Sequence, residues 1–381
     1  MADYRYYLDY AASAPLRPEV GVAMAAVAAR AGNPSSLHGS GRVARAALEG
    51  AREQVAAAVG ALPAEVVFTS GGTEADNIAV LGGVSSAWAR EAGRTRLVTT
   101  SVEHPAVAEA ATTLADRTRV VGVDDAGRLD EGEWMDALDG SVAVASAMWA
   151  NNETGVIFDV ASLAEAAHRA GAWAHSDGVQ ALGHVPVSFA DSGLDLLSLS
   201  AHKVGGPVGV GALVVRRGLE PAPVMYGGGQ ERKLRSGTVS VALAVGFAAA
   251  AELAVAELAA EASRIGGLRE RVVAAISGIE GARVNGEGTS PAICNATFAG
   301  LRADDLLLML DAAGVDCSTG SACTAGVHRP SEVLLAMGRS EADASASVRF
   351  SFGWATTDDD VEALVGALPD AVGRARAAYA W

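Results

Sequence analysis

Lysine is nearly absent from this chain, and one of its lysines stands where an amine could do chemistry. Only two of the 29 basic residues are lysines, and Lys203 ends the run 198–203, Ser-Leu-Ser-Ala-His-Lys, after a strand-like apolar segment. A lysine amine can lose its proton and form a Schiff base, whereas arginine stays charged. A glycine-rich segment, 205–211, follows. The pattern suits an amine placed beside a bound phosphate and aldehyde; the alternative is an ordinary surface lysine.

A second chemical signal is a glycine pair after the strand-like segment 66–69. Gly71, Gly72 and Thr73 come next and open a helical pattern. Glycines let the backbone approach an anion, and a helix N-terminus offers free N–H groups to a phosphate. The segment lacks the Gly-Lys-Ser/Thr of a Walker A loop and the spacing of a dinucleotide fingerprint. The alternative is a tight turn with Thr73 as a helix cap.

Further polar side chains follow other strand-like segments. Asn152 comes after residues 147–150, and Asp177 comes after residues 173–176, with Gln180 three positions later. In an open parallel sheet, ligands bind beyond the carboxyl ends of the strands. The residues that we expect to converge on one crevice are therefore Thr73, Asn152, Asp177, Ser200, His202 and Lys203.

Short β-rich segments alternate with alanine-rich helical patterns over the first two thirds of the chain. This alternation predicts right-handed crossovers and an α/β fold with a mostly parallel sheet. The predicted strands are 66–69, 97–101, 119–123, 142–148, 173–176, 196–199, 212–215, 283–285, 293–298 and 348–352. A long helical pattern from residue 238 towards residue 264 then marks a change. We predict a large domain over 1–255 and a smaller α+β domain over 256–381, with roughly the first 15 residues packing against the smaller one.

The composition excludes several classes of protein. The chain is 50% hydrophobic and carries a net charge of −16, and no basic cluster offers a surface for nucleic acid. Its first residues lack the blocks of a signal peptide. The longest apolar run, 241–251, is too short to cross a bilayer. We expect a cytoplasmic protein with no membrane and no direct nucleic-acid partner.

The three cysteines are too few for a disulfide framework and differ in their surroundings. Cys294 alternates with apolar residues on a strand pattern and is predicted to lie in the core. Cys317 shares a face with Val315 and is predicted to be packed. Cys323 lies among small polar residues without hydrophobic periodicity. Such a loop can bring a thiolate to a substrate, although an idle thiol is the alternative.

Taken in order, the motifs resemble those of the pyridoxal-phosphate-dependent cysteine desulfurases. These are NifS/IscS-like enzymes of the class V aminotransferase family, with the fold type I architecture. The resemblance covers essentially the whole chain. The matching segments are residues 8–12, 32–36, 69–74, 103–104, 151–155, 175–177, 200–203, 235–238, 320–324 and 349–351.

The resemblance implies a role for each cofactor-binding residue. Lys203 holds pyridoxal 5'-phosphate covalently and moves the substrate's α-proton, while Asp177 pairs with the ring nitrogen. His104 stacks on the ring, and Gln180 bonds to its phenolic oxygen. The phosphate is assigned to Gly72, Thr73, Ser200, His202 and, from the other subunit of a homodimer, Thr238.

The resemblance also implies the reaction. Asn152 and Arg349 bind the carboxylate of L-cysteine, and Cys323 takes its sulfur as a persulfide while L-alanine leaves. The sulfur goes to an acceptor such as an iron–sulfur scaffold or a tRNA or cofactor thiolation enzyme, and no metal is implied.

The chain ends after its last predicted helix, without the longer tail that some relatives use to dock a scaffold. Residues 12–15, Ala-Ser-Ala-Pro, depart from the family's usual Ala-Thr-Thr-Pro.

Three alternatives remain beside this interpretation. They are a selenocysteine lyase, a small-amino-acid aminotransferase, and a non-catalytic sulfur-relay or scaffold partner. Cys323 argues against the aminotransferase, which needs no such thiol. Lys203, His104 and Asp177 together argue against the non-catalytic protein.

Overall fold

The computed structural model describes residues 5–320 and 329–379. The strands are β1 (Tyr6–Tyr7), β2 (Val66–Thr69), β3 (Arg96–Thr100), β4 (Thr118–Val121), β5 (Val142–Ser146), β6 (Trp173–Asp177), β7 (Leu196–Ser200), β8 (Gly211–Val215), β9 (Ala282–Asn285), β10 (Ile293–Phe298), β11 (Val315–Asp316) and β12 (Ser347–Ser351). The helices are α1 (Pro18–Ala28), α2 (Gly39–Ala58), α3 (Gly72–Asn77), α4 (Gly83–Arg90), α5 (Pro105–Thr112), α6 (Glu131–Ala137), α7 (Val160–Arg169), α8 (Phe189–Ser192), α9 (Val241–Ser277), α10 (Ala303–Ala312), α11 (Glu332–Ala336), α12 (Glu341–Ser345) and α13 (Asp358–Tyr379). A π-helical turn, Ile78–Gly82, joins α3 to α4.

A seven-stranded sheet in the order β2-β8-β7-β6-β5-β3-β4 forms the centre of the larger part of the chain. The five strands from β7 to β4 are parallel. β8 runs antiparallel to both of its neighbours, β2 and β7. Consequently β2 and β7 point the same way, and their carboxyl ends lie at the same edge. The prediction of an α/β fold with a mostly parallel sheet is confirmed.

Helices cover both faces of this sheet, because alternate strand residues point to opposite sides. Phe68 and Leu197 face a core shared with α2, α7 and the first half of α9. Val67 and Leu196 face the opposite side, where they pack with α3 and the following π-helical turn. Strands buried on both faces read as near-continuous apolar runs, which is why the sequence pattern located them well.

A second core lies around the antiparallel sheet β12-β10-β9. It is closed by α10, α13 and the second half of α9, and Leu8 is part of it. The preceding residues, Tyr6 and Tyr7, pair with β11. The domain division at residue 255 stays a prediction, since α9 runs unbroken through that position.

Helix α9 is longer than the sequence pattern indicated. It ends at Ser277, well beyond residue 264, towards which the helical pattern was traced. Ile265, Leu268, Val272 and Ile276 continue the helical spacing and face the second core. By length and composition α9 could cross a membrane. The same length and apolar composition are expected of a helix that packs in two cores, because each half of α9 carries an apolar face that is buried in one of them.

A buried ion pair secures the strand that leads to the predicted phosphate turn. The carboxylate of Glu231 accepts hydrogen bonds from Nη1 and Nη2 of Arg52, each at 2.7 Å, and from the backbone N–H of Phe68 at 2.9 Å. The side chain of Glu231 is only 3% exposed. Breaking such a pair leaves a buried charge without its partner.

We therefore expect Glu231→Gln to lower the free energy of unfolding by roughly 3–5 kcal/mol, because Arg52 loses its buried counter-charge and keeps only the exposed carboxylate of Glu49. Urea titration followed by fluorescence measures this change. Glu165→Gln is the matched control, since Glu165 pairs with Arg169 on an exposed helix surface and should leave stability nearly unchanged. Equal midpoints for the two variants would contradict a structural role for Glu231.

Candidate active site

The predicted crevice forms where several strands of the large sheet end. Asp177 is the last residue of β6, and Ser200 is the last residue of β7. A short 3-10 turn, Ala201–Lys203, follows β7 directly. Because β2 points the same way as β7, the turn after Thr69 reaches the same edge. The topology thus brings the glycine pair and the lysine together.

Gly72 packs too closely against its neighbours to tolerate a side chain, whereas a Cβ on Gly71 would meet nothing within 4 Å. A Cβ on Gly72 would lie 2.7 Å from Cγ2 of Val179, and its next neighbour is Cβ of Ser200 at 3.7 Å. On the adjacent strand, a Cβ on Gly211 would lie 2.4 Å from the carbonyl oxygen of Leu199. Helix α3 begins at Gly72, so its first N–H groups have no partner within the helix. This turn is a backbone cradle suited to an anion.

The amine of Lys203 is held by the N-terminal strap, by which we mean residues 8–17. Its Nζ donates hydrogen bonds to the carbonyl oxygens of Ala11 at 2.6 Å and Ala12 at 2.9 Å. Burial lowers the pKa of Lys203 to about 8, and the positive charge of Arg349 adds to this effect. A substantial fraction of the amine is therefore neutral near physiological pH, as a nucleophile or base must be.

Asp177 and His104 form the second part of the site. Suitable ligand atoms of Asp76, His104 and Asp177 all lie within 4.8 Å of one another. Oδ1 of Asp177 accepts a hydrogen bond from the backbone of Val179 at 2.9 Å. Nδ1 of His104 accepts the N–H of Ala106 at 3.1 Å, which fixes the ring at the start of α5. Burial raises the pKa of Asp177 and lowers that of His104, and the attraction between the two opposes both shifts.

Arg349 lies in β12 and joins the second core to the crevice. Its Nη2 bonds to Oδ1 of Asp9 at 2.7 Å, and its Nη1 donates to the carbonyl oxygen of Asn152 at 2.8 Å. The guanidinium is 4% exposed, and its Nε is buried without a hydrogen-bond partner among the described residues. An unpaired buried donor is costly.

The same strap contacts two further residues expected in the site. Nε2 of Gln180 donates to the carbonyl oxygen of Ala11 at 2.9 Å. Nδ1 of His202 lies 3.3 Å from Oγ of Ser13. Burial lowers the pKa of His202 to about 4, so its ring is neutral.

The remaining expected residues are less closely associated with this centre. Thr73 is exposed at the start of α3. Asn152 approaches Arg349 through its backbone carbonyl. Thr238 is exposed and lines a separate cavity of about 280 Å³ with Asn33 and Gln230. Cys323 lies outside the described residues.

Sequence reasoning assigned no role to two acidic residues that the structure places at the site. Asp9 pairs with Arg349, and Asp76 lies beside Asp177. Asp9 belongs to the matching segment 8–12, whereas Asp76 lies two residues beyond the matching segment 69–74, and neither stands at the end of a predicted strand. The sequence feature that could have identified Asp9 as a site residue is its position directly after an apolar segment.

The described residues fit the expected cofactor, pyridoxal phosphate. A buried amine can take its aldehyde, the Gly72 cradle can take its phosphate, and the carboxylate of Asp177 can pair with its ring nitrogen. The positive charge of Arg349, within electrostatic range of Lys203, suits the carboxylate of an amino-acid substrate.

Comparisons with known proteins agree with this geometry. The aminotransferase class-V family model matches residues 6–364. An IscS-like cysteine desulfurase from Mycobacterium tuberculosis is 47% identical over 98% of this chain and 97% of its own length. The cysteine desulfurase IscS of Dictyoglomus turgidum is 40% identical over 95% of this chain and 93% of its own length.

Solved structures agree as well. A NifS-like protein superposes with a TM-score of 0.90 at 31% identity, over 97% of this chain and 100% of that one. DndA from Streptomyces lividans superposes with a TM-score of 0.76 at 39% identity, over 91% of this chain and 99% of that one. The chain therefore belongs to the class V aminotransferase family and, within it, to the pyridoxal-phosphate-dependent cysteine desulfurases.

Proposed function

We propose that Lys203 bears the cofactor in this enzyme and that Cys323 receives the sulfur of L-cysteine while L-alanine is released. The observation that carries the assignment is the buried amine of Lys203, which lies within electrostatic range of Asp177 and Arg349. The carboxylate of Asp177 suits a pyridine nitrogen, and the guanidinium of Arg349 suits an amino-acid carboxylate.

Pyridoxal phosphate, when bound, supplies an electron sink for a carbanion at the substrate's α-carbon. The cradle at Gly72, with Ser200 and His202 close by, would hold its phosphate. Asp177 would keep the ring nitrogen protonated, and His104 would cover one face of the ring. The pKa of His104 is lowered by burial, so its ring can stack there without carrying a charge.

Arg349 orients the substrate. Asp9 and the carbonyl oxygen of Asn152 hold Nη2 and Nη1, which fixes the plane of the guanidinium that would receive the α-carboxylate. Lys203 then moves the α-proton. Its pKa of about 8 suits this task, because the amine can both accept and return a proton near neutral pH.

Sulfur transfer to Cys323 balances without an outside oxidant. The thiolate attacks the substrate sulfur, so that an S–S bond forms while the C–S bond breaks. The electron pair of the C–S bond stays with the carbon, which takes up a proton and completes alanine. Burial raises the pKa of Cys294 to about 11 and raises that of Cys317 as well, so both described cysteines are protonated at neutral pH.

L-cysteine and a sulfur-accepting protein are the partners of such an enzyme. We propose a cytoplasmic homodimer whose second subunit contributes Thr238 to the phosphate site. The exposure of Thr238, on a surface apart from Lys203, supports a contribution across subunits. We propose an iron–sulfur scaffold or a thiolation enzyme as the acceptor, in keeping with the IscS name of two relatives.

Lys203→Ala should remove the covalent cofactor link. Borohydride reduction of the parent enzyme should fix pyridoxal phosphate on the peptide that contains Lys203, as read by mass spectrometry, and the variant should show no such adduct. Lys233→Arg is the matched control, since Lys233 is the other lysine and is exposed. The Lys233→Arg variant should carry the same reduced pyridoxal phosphate adduct on Lys203 as the parent enzyme. A specific adduct on Lys233 would refute the assignment.

Cys323→Ser should bind cofactor like the parent but release no sulfide from cysteine above background, because the sulfur has no thiolate to receive it. Sulfide and alanine assays measure the effect, and the visible absorbance band reports cofactor content. Cys294→Ala and Cys317→Ala are controls that should keep most of the activity. Sulfide release at the parent rate from Cys323→Ser would show that the nucleophile is another group.

Arg349→Lys should lower kcat/KM for cysteine at least ~10-fold, about 1.4 kcal/mol, because lysine keeps the charge but loses the planar fork. Cofactor absorbance should not change. Arg269→Lys is the matched control, since Arg269 bonds to Ile293 and Thr289 in the same region without reaching the crevice. Loss of bound cofactor in Arg349→Lys, with an unaltered response to cysteine, would place Arg349 at the phosphate instead.

A further inference from the structure

A buried acid beside the cofactor-ring pocket has no role in the reaction described above. Asp76 lies on α3, four residues after the start of the cradle, and is 1% exposed. Its carboxyl oxygen lies within 4.8 Å of ligand atoms of His104 and Asp177. Oδ1 of Asp76 has no hydrogen-bond partner among the described residues.

Among residues 5–320 and 329–379, no cation balances a charge on Asp76, whose side chain forms a hydrogen bond with the neutral hydroxyl of Ser198. The nearest candidate is His175, whose Nε2 lies 3.6 Å from Oδ1 of Asp76. Both ring nitrogens of His175 already have serine partners, with Nδ1 2.8 Å from Oγ of Ser146 and Nε2 3.0 Å from Oγ of Ser198. Burial lowers the pKa of His175 to about 3, so the ring is neutral.

Three carboxyl groups, those of Asp76, Glu103 and Asp177, are buried in this region. A buried anion without a counter-charge is strongly disfavoured, and neighbouring carboxylates disfavour each other's ionisation. Asp177 is within electrostatic range of His104 and Lys203, whereas the charged groups that act on Asp76 are the other two acids. The negative charge is therefore best placed on Asp177.

Glu103 resembles Asp76 in its surroundings. Its Oε1 accepts hydrogen bonds from Oγ1 of Thr100 at 2.9 Å and from the backbone of Met148 at 3.0 Å. Its Oε2 is buried without a partner among the described residues. Burial, with a contribution from Asp177, raises the pKa of Glu103 to about 8.

We propose that Asp76 is a positioning residue that is present as the neutral acid, closes the buried side of the ring pocket and leaves Asp177 as the single anion there. It acts through Asp177 and His104 and touches neither substrate nor cofactor. The inference rests on the proposed role of Asp177 in holding the cofactor ring.

Infrared spectroscopy of the apoprotein tests the protonation state directly. The difference spectrum between the parent and Asp76→Asn at pH 7 should show the loss of a protonated-carboxyl C=O band, which lies at higher frequency than carboxylate bands. Asp124→Asn is the matched control, because Arg128 and two backbone N–H groups bond to that carboxylate and its pKa is lowered. The control should lose carboxylate bands. Loss of carboxylate bands in Asp76→Asn would overturn the proposal.

Binding of pyridoxal phosphate to the apoprotein tests the positioning role. Asp76→Asn keeps the shape and neutrality of the acid, so its Kd should stay within about threefold of the parent value and its visible band should not shift. Asp76→Ala should raise the Kd at least ~10-fold and shift the band, because water then reaches Asp177. A Kd and band for Asp76→Ala that match the parent would overturn the role, as would an Asp76→Asn variant as impaired as Asp177→Asn.

The two proposals can fail separately. If Asp177→Asn binds pyridoxal phosphate like the parent, the role of Asp177 is wrong, while the infrared result for Asp76 still stands on its own. Thermal melting of each apoprotein shows whether it is folded. Should Asp76→Ala not fold, the infrared and binding results for Asp76→Asn decide the proposal.

Discussion

Burial of the amine of Lys203 is the constraint around which the site is built. An amine can be removed from water only if acceptors replace the solvent, and here the carbonyl oxygens of Ala11 and Ala12 do so. Ala11 is 192 residues away in the chain. The lysine can therefore be correctly placed only when the N-terminal strap has docked against the crevice.

The strap in turn ties the two cores together. Leu8 belongs to the second core, and Asp9 pairs with Arg349 on β12. Two residues further along, the carbonyl of Ala11 accepts hydrogen bonds from both Gln180 and Lys203 at the sheet edge. A short segment thus sets the position of the proposed carboxylate-binding arginine relative to the cofactor lysine. This arrangement explains why the first residues pack with the end of the chain.

Burial and proximity to other charged groups together set the ionisation state of each acid in the site. Asp9 and Arg349 neutralise each other, and Asp177 is within range of Lys203 and His104. Asp76 and Glu103 have no such cationic neighbours in the part of the chain that the structure describes, so burial dominates and raises the pKa of each. The same residue type therefore serves in different protonation states within one small region.

The sequence by itself determined the strands of the large sheet to within one or two residues at most of their ends, because strands buried on both faces are continuous apolar runs between turn residues. It also identified Lys203, Asp177 and Ser200 as side chains at strand ends, since that position depends on local order alone. Only the tertiary structure decided that Asp9 meets Arg349, 340 residues away, and that Asp76 lies beside Asp177. Such partners are brought together by the packing of distant elements, and periodicity along the chain does not specify those contacts. The full length of α9 was missed for a similar reason, because its last turns are held by a core that α10, α13 and Leu8 complete.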